Sequence, residues 1–188
     1  MPPETSTATA LLHALRRVNR GVAIAVGLLL LGCAAFVLCD VVLRQVGASF
    51  GGTDEISGYV MAIATSWGMA YALMELGHVR IDLVRSRGRA MTRSLFDLFA
   101  LATLAGTVTL IAWYAWPVVE RSLANASRAN TQLGTPLALV QVPWFAGWVW
   151  FAAVAWLTLL STAMLVLRGD HAAVDRAIGS PAEAEGGE

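Results

Sequence analysis

Charged residues that could do chemistry or bind a partner occur in two groups, and each group adjoins a long apolar run. The first group comprises Asp40, Arg44, Asp54 and Glu55. Asp40 and Arg44 are four residues apart and therefore share a helix face. If the chain turns back over residues 45–53, Arg44 comes close to Asp54 and Glu55. This arrangement predicts either a salt-bridge network that ties two helices together or ordinary charges at a membrane interface.

The second group follows the second apolar run and comprises Glu75, His78, Arg80 and Asp82. Its polar residues alternate with apolar ones. His78 and Asp82 share a face if this segment is helical. A plain loop on the cytoplasmic side explains the pattern equally well.

Neither group has the spacing of a known catalytic or metal site. His13, His78 and His171 all lie outside the apolar runs, so paired histidine ligands for a haem within the membrane are not expected. The sequence contains no phosphate-binding loop, no His-Glu-x-x-His pair and no Gly-x-Ser-x-Gly motif. Cys33 and Cys39 point to different faces of a helix, which argues against a disulfide or a shared metal site. We therefore expect no enzyme activity and no cofactor.

The composition indicates a membrane protein. Of the 188 residues, 57% are hydrophobic and 14% are charged, and the mean hydropathy is +0.63. Soluble domains have about 25% charged residues. The net charge is zero and all 13 basic residues are arginines, so nothing resembles the cationic surface that nucleic-acid binding requires. The length accommodates four membrane spans with short connections and leaves no room for a separate catalytic domain.

Four apolar runs predict an all-α integral membrane protein with spans at about 21–44, 54–76, 94–119 and 143–167. The charge-free part of the second span, residues 56–74, covers about 28 Å as a helix, close to the hydrocarbon thickness of a bilayer. Before the first span, Leu11 to Arg20 form an amphipathic segment suited to a membrane surface. We expect a membrane domain over 11–168, with disordered ends at 1–10 and 169–188.

Further features predict how these spans begin, end, pack and orient. We expect Pro117 to kink or end the third span and Pro143 to open the fourth. Ala64, Gly68 and Ala72 repeat every fourth residue, a spacing that lets two helix backbones approach closely in lipid. If both termini lie on one side, ten arginines lie on that side and three on the other. This bias predicts cytoplasmic termini.

Six short sequence features follow one another along the chain. They are Arg44; Asp54-Glu55 with Tyr59; Trp67-Gly68-Met69-Ala70; Gly77 to Asp82; Thr135-Pro136; and Gln141-Val142-Pro143-Trp144. This order resembles the small membrane subunit of tripartite ATP-independent periplasmic (TRAP) transporters, the DctQ-like family. The likeness covers about residues 15–167. The segment around Tyr71 departs from the family, being more aromatic than its usual run of small residues.

The resemblance implies an accessory role in the bacterial inner membrane. In that family the small subunit supports a large multi-span subunit that moves the substrate with a sodium gradient, while a periplasmic binding protein captures an organic acid. The expected partners are these two proteins and membrane lipid, and no nucleic acid. The candidate interface residues are Asp40, Arg44, Asp54, Glu55, Tyr59, Ala64, Gly68, Ala72, Gly77, His78, Arg80 and Asp82.

Two other functions are compatible with the sequence. One is a membrane anchor or assembly subunit of another complex, such as a respiratory enzyme. The other is a small transporter or membrane enzyme that works alone, although the spans lack the internal charges and breaks that transport sites usually show.

Overall fold

The described part of the chain, residues 7–75 and 90–169 of a computed structural model, consists of four α-helices. They are α1 (Thr7–Gln45), α2 (Thr53–Met74), α3 (Ala90–Ala124) and α4 (Ala138–Leu167). Helix α4 packs against each of the other three, and α1 also packs along α2. The all-α prediction is confirmed for these residues.

Three of the helices, α1, α3 and α4, are long and apolar enough to cross a membrane. Helix α2 is not among them, although its 22 residues would extend about 33 Å. Polar and small side chains lower its hydropathy, including Ser57, Thr65, Ser66 and Gly68. Three of the four expected spans therefore coincide with helices that are long and apolar enough to cross a membrane, and the count of four stays a prediction.

Helix α1 is longer than the sequence predicts because the amphipathic segment and the first span form one uninterrupted helix. It begins at Thr7, within the segment expected to be disordered, and its 39 residues extend about 58 Å. Part of the apolar side of the amphipathic segment packs against the other helices. Ala8, Leu12 and Leu15 are buried in the core of the chain.

The hydrophobic core lies toward one end of the helices. We call this the terminal end, because the described chain begins and stops there, and we call the opposite end the loop end. The core joins the first turns of α1 to the last turns of α2 and to parts of α3 and α4, through residues such as Met74, Leu101, Ala105, Phe151 and Leu165. In α1, the buried residues are confined to positions 8–19 and to Asp40. Its apolar middle is therefore open to the surroundings.

Both prolines that were expected to limit helices lie inside them. Helix α3 continues through Pro117 to Ala124, and α4 begins at Ala138, five residues before Pro143. The first turns of α4 are closed by the Gln141 N–H, which donates to the Leu137 carbonyl at 2.9 Å. Interior prolines are tolerated in membrane helices when neighbouring groups satisfy the freed backbone atoms.

The closest approach between two helices occurs at Gly147 of α4. A Cβ atom at this position would lie 2.3 Å from Ser66 Oγ, 2.8 Å from Ser66 Cβ and 2.9 Å from Trp67 Cδ1. Nearby, the indole N–H of Trp67 donates to the Pro143 carbonyl at 2.9 Å. Only glycine leaves room for α2 at this point, so Gly147 sets the separation of α2 and α4.

We expect Gly147→Ala to lower the apparent melting temperature in detergent, followed by circular dichroism. The added methyl group must displace Ser66 or Trp67, and overpacking of this kind costs about 1–3 kcal/mol. Gly106→Ala is the matched control, because a Cβ at Gly106 of α3 meets nothing within 4 Å. That variant should be neutral or stabilising, by up to about 1 kcal/mol. Equal shifts in the two variants would contradict the close packing at Gly147.

Candidate functional site

The carboxylate of Asp40 organises the loop end of α1. It accepts a hydrogen bond from Ser49 Oγ at 2.9 Å and one from the Phe50 N–H at 2.8 Å. Its second oxygen lies 2.7 Å from Arg44 Nη2. The Asp40 side chain is only 1% exposed, and the Thr53 hydroxyl lies close to it. The Asp40 carboxylate thus fixes the turn between α1 and α2 through the two bonds from Ser49 and Phe50.

Arg44 pairs with Asp40 on its own helix, where the sequence suggested Asp54 and Glu55 as further partners. Its Nε also donates to Asp40 Oδ2 at 2.9 Å, so two guanidinium nitrogens share one carboxylate oxygen. The guanidinium is 53% exposed, and Asp54 in the first turn of α2 is exposed too. Among residues 7–75, the link between α1 and α2 at this end therefore runs through the Asp40 hydrogen bonds rather than through a network of four charges.

Glu55 faces a different part of the chain. Its Oε1 accepts a hydrogen bond from the Tyr59 hydroxyl at 2.5 Å, one helical turn along α2. The Thr131 and Thr135 side chains and the Leu133 backbone also lie around the Glu55 carboxylate. These residues belong to the connection between α3 and α4. Glu55 therefore joins the start of α2 to that connection.

The same connection covers the turn before α2. The Leu133 side chain lies so close to Gly52 that a Cβ there would be 2.4 Å from Leu133 Cδ1. Gly52 also has a φ of 67°, a left-handed conformation that suits glycine. An open cleft of about 620 Å³ lies beside this contact, lined by Gly52, Asp54, Glu55, Gly58, Tyr59, Thr131 and Gln132. The cleft offers hydrogen-bond acceptors and two carboxylates to a partner at the loop end.

The connection itself is held by its own hydrogen bonds. The Ala129 N–H donates to the Thr135 carbonyl at 2.9 Å, and the Leu137 N–H donates to the Ser127 carbonyl at 2.9 Å. Arg128 Nη1 donates to the Gly134 carbonyl at 3.1 Å. These bonds hold residues 127–137 as a turn back into α4, which presents Thr131 and Leu133 to the start of α2.

Of the second charged group, only Glu75 lies within the described residues. Glu75 directly follows α2 and is exposed, and its N–H donates to the Tyr71 carbonyl at 3.0 Å. Gly77, His78, Arg80 and Asp82 lie outside the described residues. The interpretation of that segment as a helix face or a loop stays a prediction.

The small-residue stripe of α2 is only partly used within the chain. Ala64 is buried, whereas Gly68 and Ala72 are half-buried. A Cβ at Gly68 would meet nothing within 4 Å. The close approach that the stripe predicted occurs on another face of α2, where Ser66 meets Gly147. Gly68 is therefore open to a further neighbour.

A polar contact at the terminal end did not emerge from the sequence. Asn19 of α1 is fully buried, and its Oδ1 accepts a hydrogen bond from Trp150 Nε1 of α4 at 3.1 Å. Its Nδ2 donates to the Leu15 carbonyl at 2.9 Å. The only signal in the sequence is an asparagine among the apolar positions of an amphipathic segment. Its partner lies 131 residues further along the chain.

These contacts fix helices to one another. Asp40 joins α1 to the following turn, Asn19 joins α1 to α4, and Glu55 joins α2 to the connection before α4. Open surfaces near these contacts include the loop-end cleft and the Gly68 face of α2. Such an arrangement is suited to binding another protein.

One family is similar to this chain over most of its length. The family described as "Tripartite ATP-independent periplasmic transporters, DctQ component" matches residues 33–155. No curated protein and no solved structure matches the chain. The matched range runs from the middle of α1 to the middle of α4 and includes Asp40, Arg44, Glu55 and Tyr59.

We expect Asp40→Asn to loosen the turn between α1 and α2. The amide keeps the shape but loses the ion pair with Arg44 and weakens the bonds from Ser49 and Phe50, because hydrogen bonds to a charged acceptor are the stronger ones. Hydrogen exchange of a peptide covering residues 46–52 should become roughly tenfold faster. Asp54→Asn is the matched control, since Asp54 is exposed at the start of α2. Exchange at the wild-type rate in Asp40→Asn would contradict the assigned role.

Proposed function

Since the chain belongs to the DctQ family, the small membrane component of tripartite ATP-independent periplasmic transporters, we propose that it stabilises the large multi-span subunit of such a transporter. The transporter imports an organic acid with a sodium gradient, and a periplasmic binding protein delivers the acid. The complex lies in a bacterial inner membrane, with the terminal end of this chain in the cytoplasm. The family match over residues 33–155 carries this proposal.

The build of the helices supports an accessory role. Each described helix is continuous, without the unwound segment that transport sites usually have. Within residues 7–75 and 90–169, two carboxylates are buried, and both lie nearer to helix ends than to helix centres: Asp40 near the end of α1 and Asp97 near the start of α3. Transport sites place their polar groups near the middle of the membrane. Movement of the solute is therefore assigned to the large subunit.

We propose that the large subunit packs against the open face of α2. Gly58, Met61, Thr65, Gly68 and Ala72 follow one another at intervals of three and four residues and share this face. The first three are exposed, and both glycines leave space where a Cβ would be. A face of small and polar residues gains little from contact with lipid tails, whereas it lets a second helix approach closely.

The loop-end cleft is the proposed contact for the soluble partner. Its lining residues Asp54 and Glu55 belong to the first turn of α2, and Gln132 belongs to the connection between α3 and α4. With the terminal end in the cytoplasm, these segments face the periplasm, where the binding protein arrives.

Co-purification in mild detergent tests the main proposal. The tagged chain, expressed with the large subunit encoded beside it, should retain that subunit at a stoichiometric level. Vesicles containing this chain alone should take up no organic acid, because the large subunit provides the path. A wild-type chain that retains no large subunit, or that transports alone, would contradict the proposed function.

Gly68→Leu tests the proposed face of α2. A Cβ at Gly68 meets nothing within 4 Å in the described chain, so the variant should fold. It should reduce the retained large subunit by roughly tenfold or more, because a bulky side chain prevents close helix packing. Gly106→Leu is the matched control, since Gly106 of α3 is equally open. Full retention in Gly68→Leu would remove this face from the interface while leaving the proposed function intact.

A further inference from the structure

One side of α1 combines two arginines with a highly exposed part of its apolar surface. Arg17 and Arg20 are both exposed and lie in the last turn before the charge-free run that begins at Gly21. Ile24, Leu28 and Leu31 follow at intervals of three and four residues and are 59%, 65% and 68% exposed. These five residues share one side of the helix, and we call them the α1 strip.

The opposite side of α1 holds the helix in this orientation. Leu12, Leu15 and Asn19 are buried there, and Asn19 is bonded to Trp150 of α4. Rotation of α1 that brought Arg17 or Arg20 into the bundle would break this bond and expose the two leucines. The strip therefore points away from the other helices.

The charge on the strip is uncompensated along its own helix. Between Thr7 and Cys39 the sequence contains no aspartate and no glutamate, so the first carboxylate of α1 is Asp40, about 30 Å from Arg20. Arg16 differs from its neighbours, because it is half-buried and already interacts within the described structure. Arg17 and Arg20 thus form a cationic pair at one end of an apolar surface.

The dimensions of the strip fit one leaflet of a bilayer. From Arg20 to Leu31 the helix rises about 16 Å, and half of a 30 Å hydrocarbon layer is about 15 Å. Gly21 is exposed, and a Cβ at this position would meet no atom within 4 Å. Because glycine has no side chain, the helix surface has a shallow depression next to the arginines, on the side of the apolar run. A phosphate placed at the arginines would let an acyl chain lie over Gly21 and along Ile24, Leu28 and Leu31.

We propose that the α1 strip binds an anionic phospholipid, with its phosphate at Arg17 and Arg20 and an acyl chain along Ile24, Leu28 and Leu31. Guanidinium groups bind phosphate oxygens through paired hydrogen bonds, and a negative headgroup supplies the charge that the helix lacks. The lipid belongs to the inner leaflet, which rests on the cytoplasmic position of the terminal end in the proposed function. It would fix the depth of α1 in the membrane.

Native mass spectrometry of the full chain, released from detergent with an equimolar mixture of dioleoyl phosphatidylglycerol and dioleoyl phosphatidylcholine, tests the site. The wild type should retain phosphatidylglycerol preferentially. Arg17→Gln with Arg20→Gln should reduce that preference about tenfold or more, since each arginine near a membrane surface contributes roughly a fivefold preference for anionic lipid. Arg17→Lys with Arg20→Lys should keep most of the preference because the charge is preserved.

Arg168→Gln is the matched control, because Arg168 is an exposed arginine directly after α4 at the same end of the helices. It should keep the wild-type preference. An equal loss in this control would overturn the site, as would an unchanged preference in the double glutamine variant. Displacement of the phospholipid by inorganic phosphate at the same concentration would assign the arginines to a free anion and also overturn the proposal.

The complex with the large subunit separates this inference from the proposed function. The double glutamine variant should still retain the large subunit, since the proposed interface lies on α2. If the wild-type complex forms but no longer prefers phosphatidylglycerol, protein covers the strip and the lipid site is wrong, while the accessory role stands. If no complex forms, the accessory role fails whatever lipid is bound.

Discussion

The middle of α1 buries no residue against the rest of the chain, and this constraint governs how the bundle is held together. Its buried positions are confined to Ala8, Leu12, Leu15 and Asn19 at one end and to Asp40 at the other. In lipid, burial of an apolar helix surface against another helix has no hydrophobic driving force, because the lipid tails are equally apolar. Helix α1 also packs along α2, and the hydrogen bonds at its ends and the hydrophobic core of the terminal end add to that packing to fix its position. Asn19 and Asp40 lie about 31 Å apart along the helix, close to one bilayer thickness.

Fixing α1 at two ends leaves long helix faces available to other molecules, as an accessory subunit requires. Helices α2 and α4 are held close by Gly147, and the loop end is closed by Asp40, by Glu55 and by Leu133 against Gly52. The bundle therefore keeps its shape without a partner and offers its open surfaces for docking. Open surfaces of this kind are consistent with membership in the DctQ family, since DctQ components work with a large membrane subunit and a periplasmic binding protein.

The features predicted well from sequence were those set by local composition and spacing. The charge-free run between Arg20 and Asp40 indicated the apolar part of α1, and the four-residue spacing of Asp40 and Arg44 correctly placed both on one face. The spacing could not show that Arg44 would stay with Asp40. The Asp40 carboxylate also receives Ser49 and Phe50 from the following turn, and that turn depends on glycine geometry that hydropathy does not encode.

The features missed were those in which one residue depends on another far along the chain. Asn19 looked like part of a surface segment because its partner, Trp150, lies on the last helix. The small-residue stripe at Gly68 predicted a packing face for a neighbouring helix, which stays a prediction, but it gave no sign of the close approach between Ser66 and Gly147 of α4. Pro143 looked like a helix start because local preference places proline there, whereas in the structure α4 continues around it and its carbonyl binds Trp67. Each case is a tertiary contact that overrides a local preference.

A double-mutant cycle between Asn19→Ala and Trp150→Phe tests most directly whether polar contacts at the ends of α1 hold this helix in the bundle. The apparent free energy of unfolding is measured in mild detergent for the wild type, both single variants and the double variant. If the bond holds α1 to α4, the two substitutions couple by about 0.6 kcal/mol or more, the scale of hydrogen bonds between membrane helices. Purely additive effects would show that the two side chains do not interact and that α1 is held in another way.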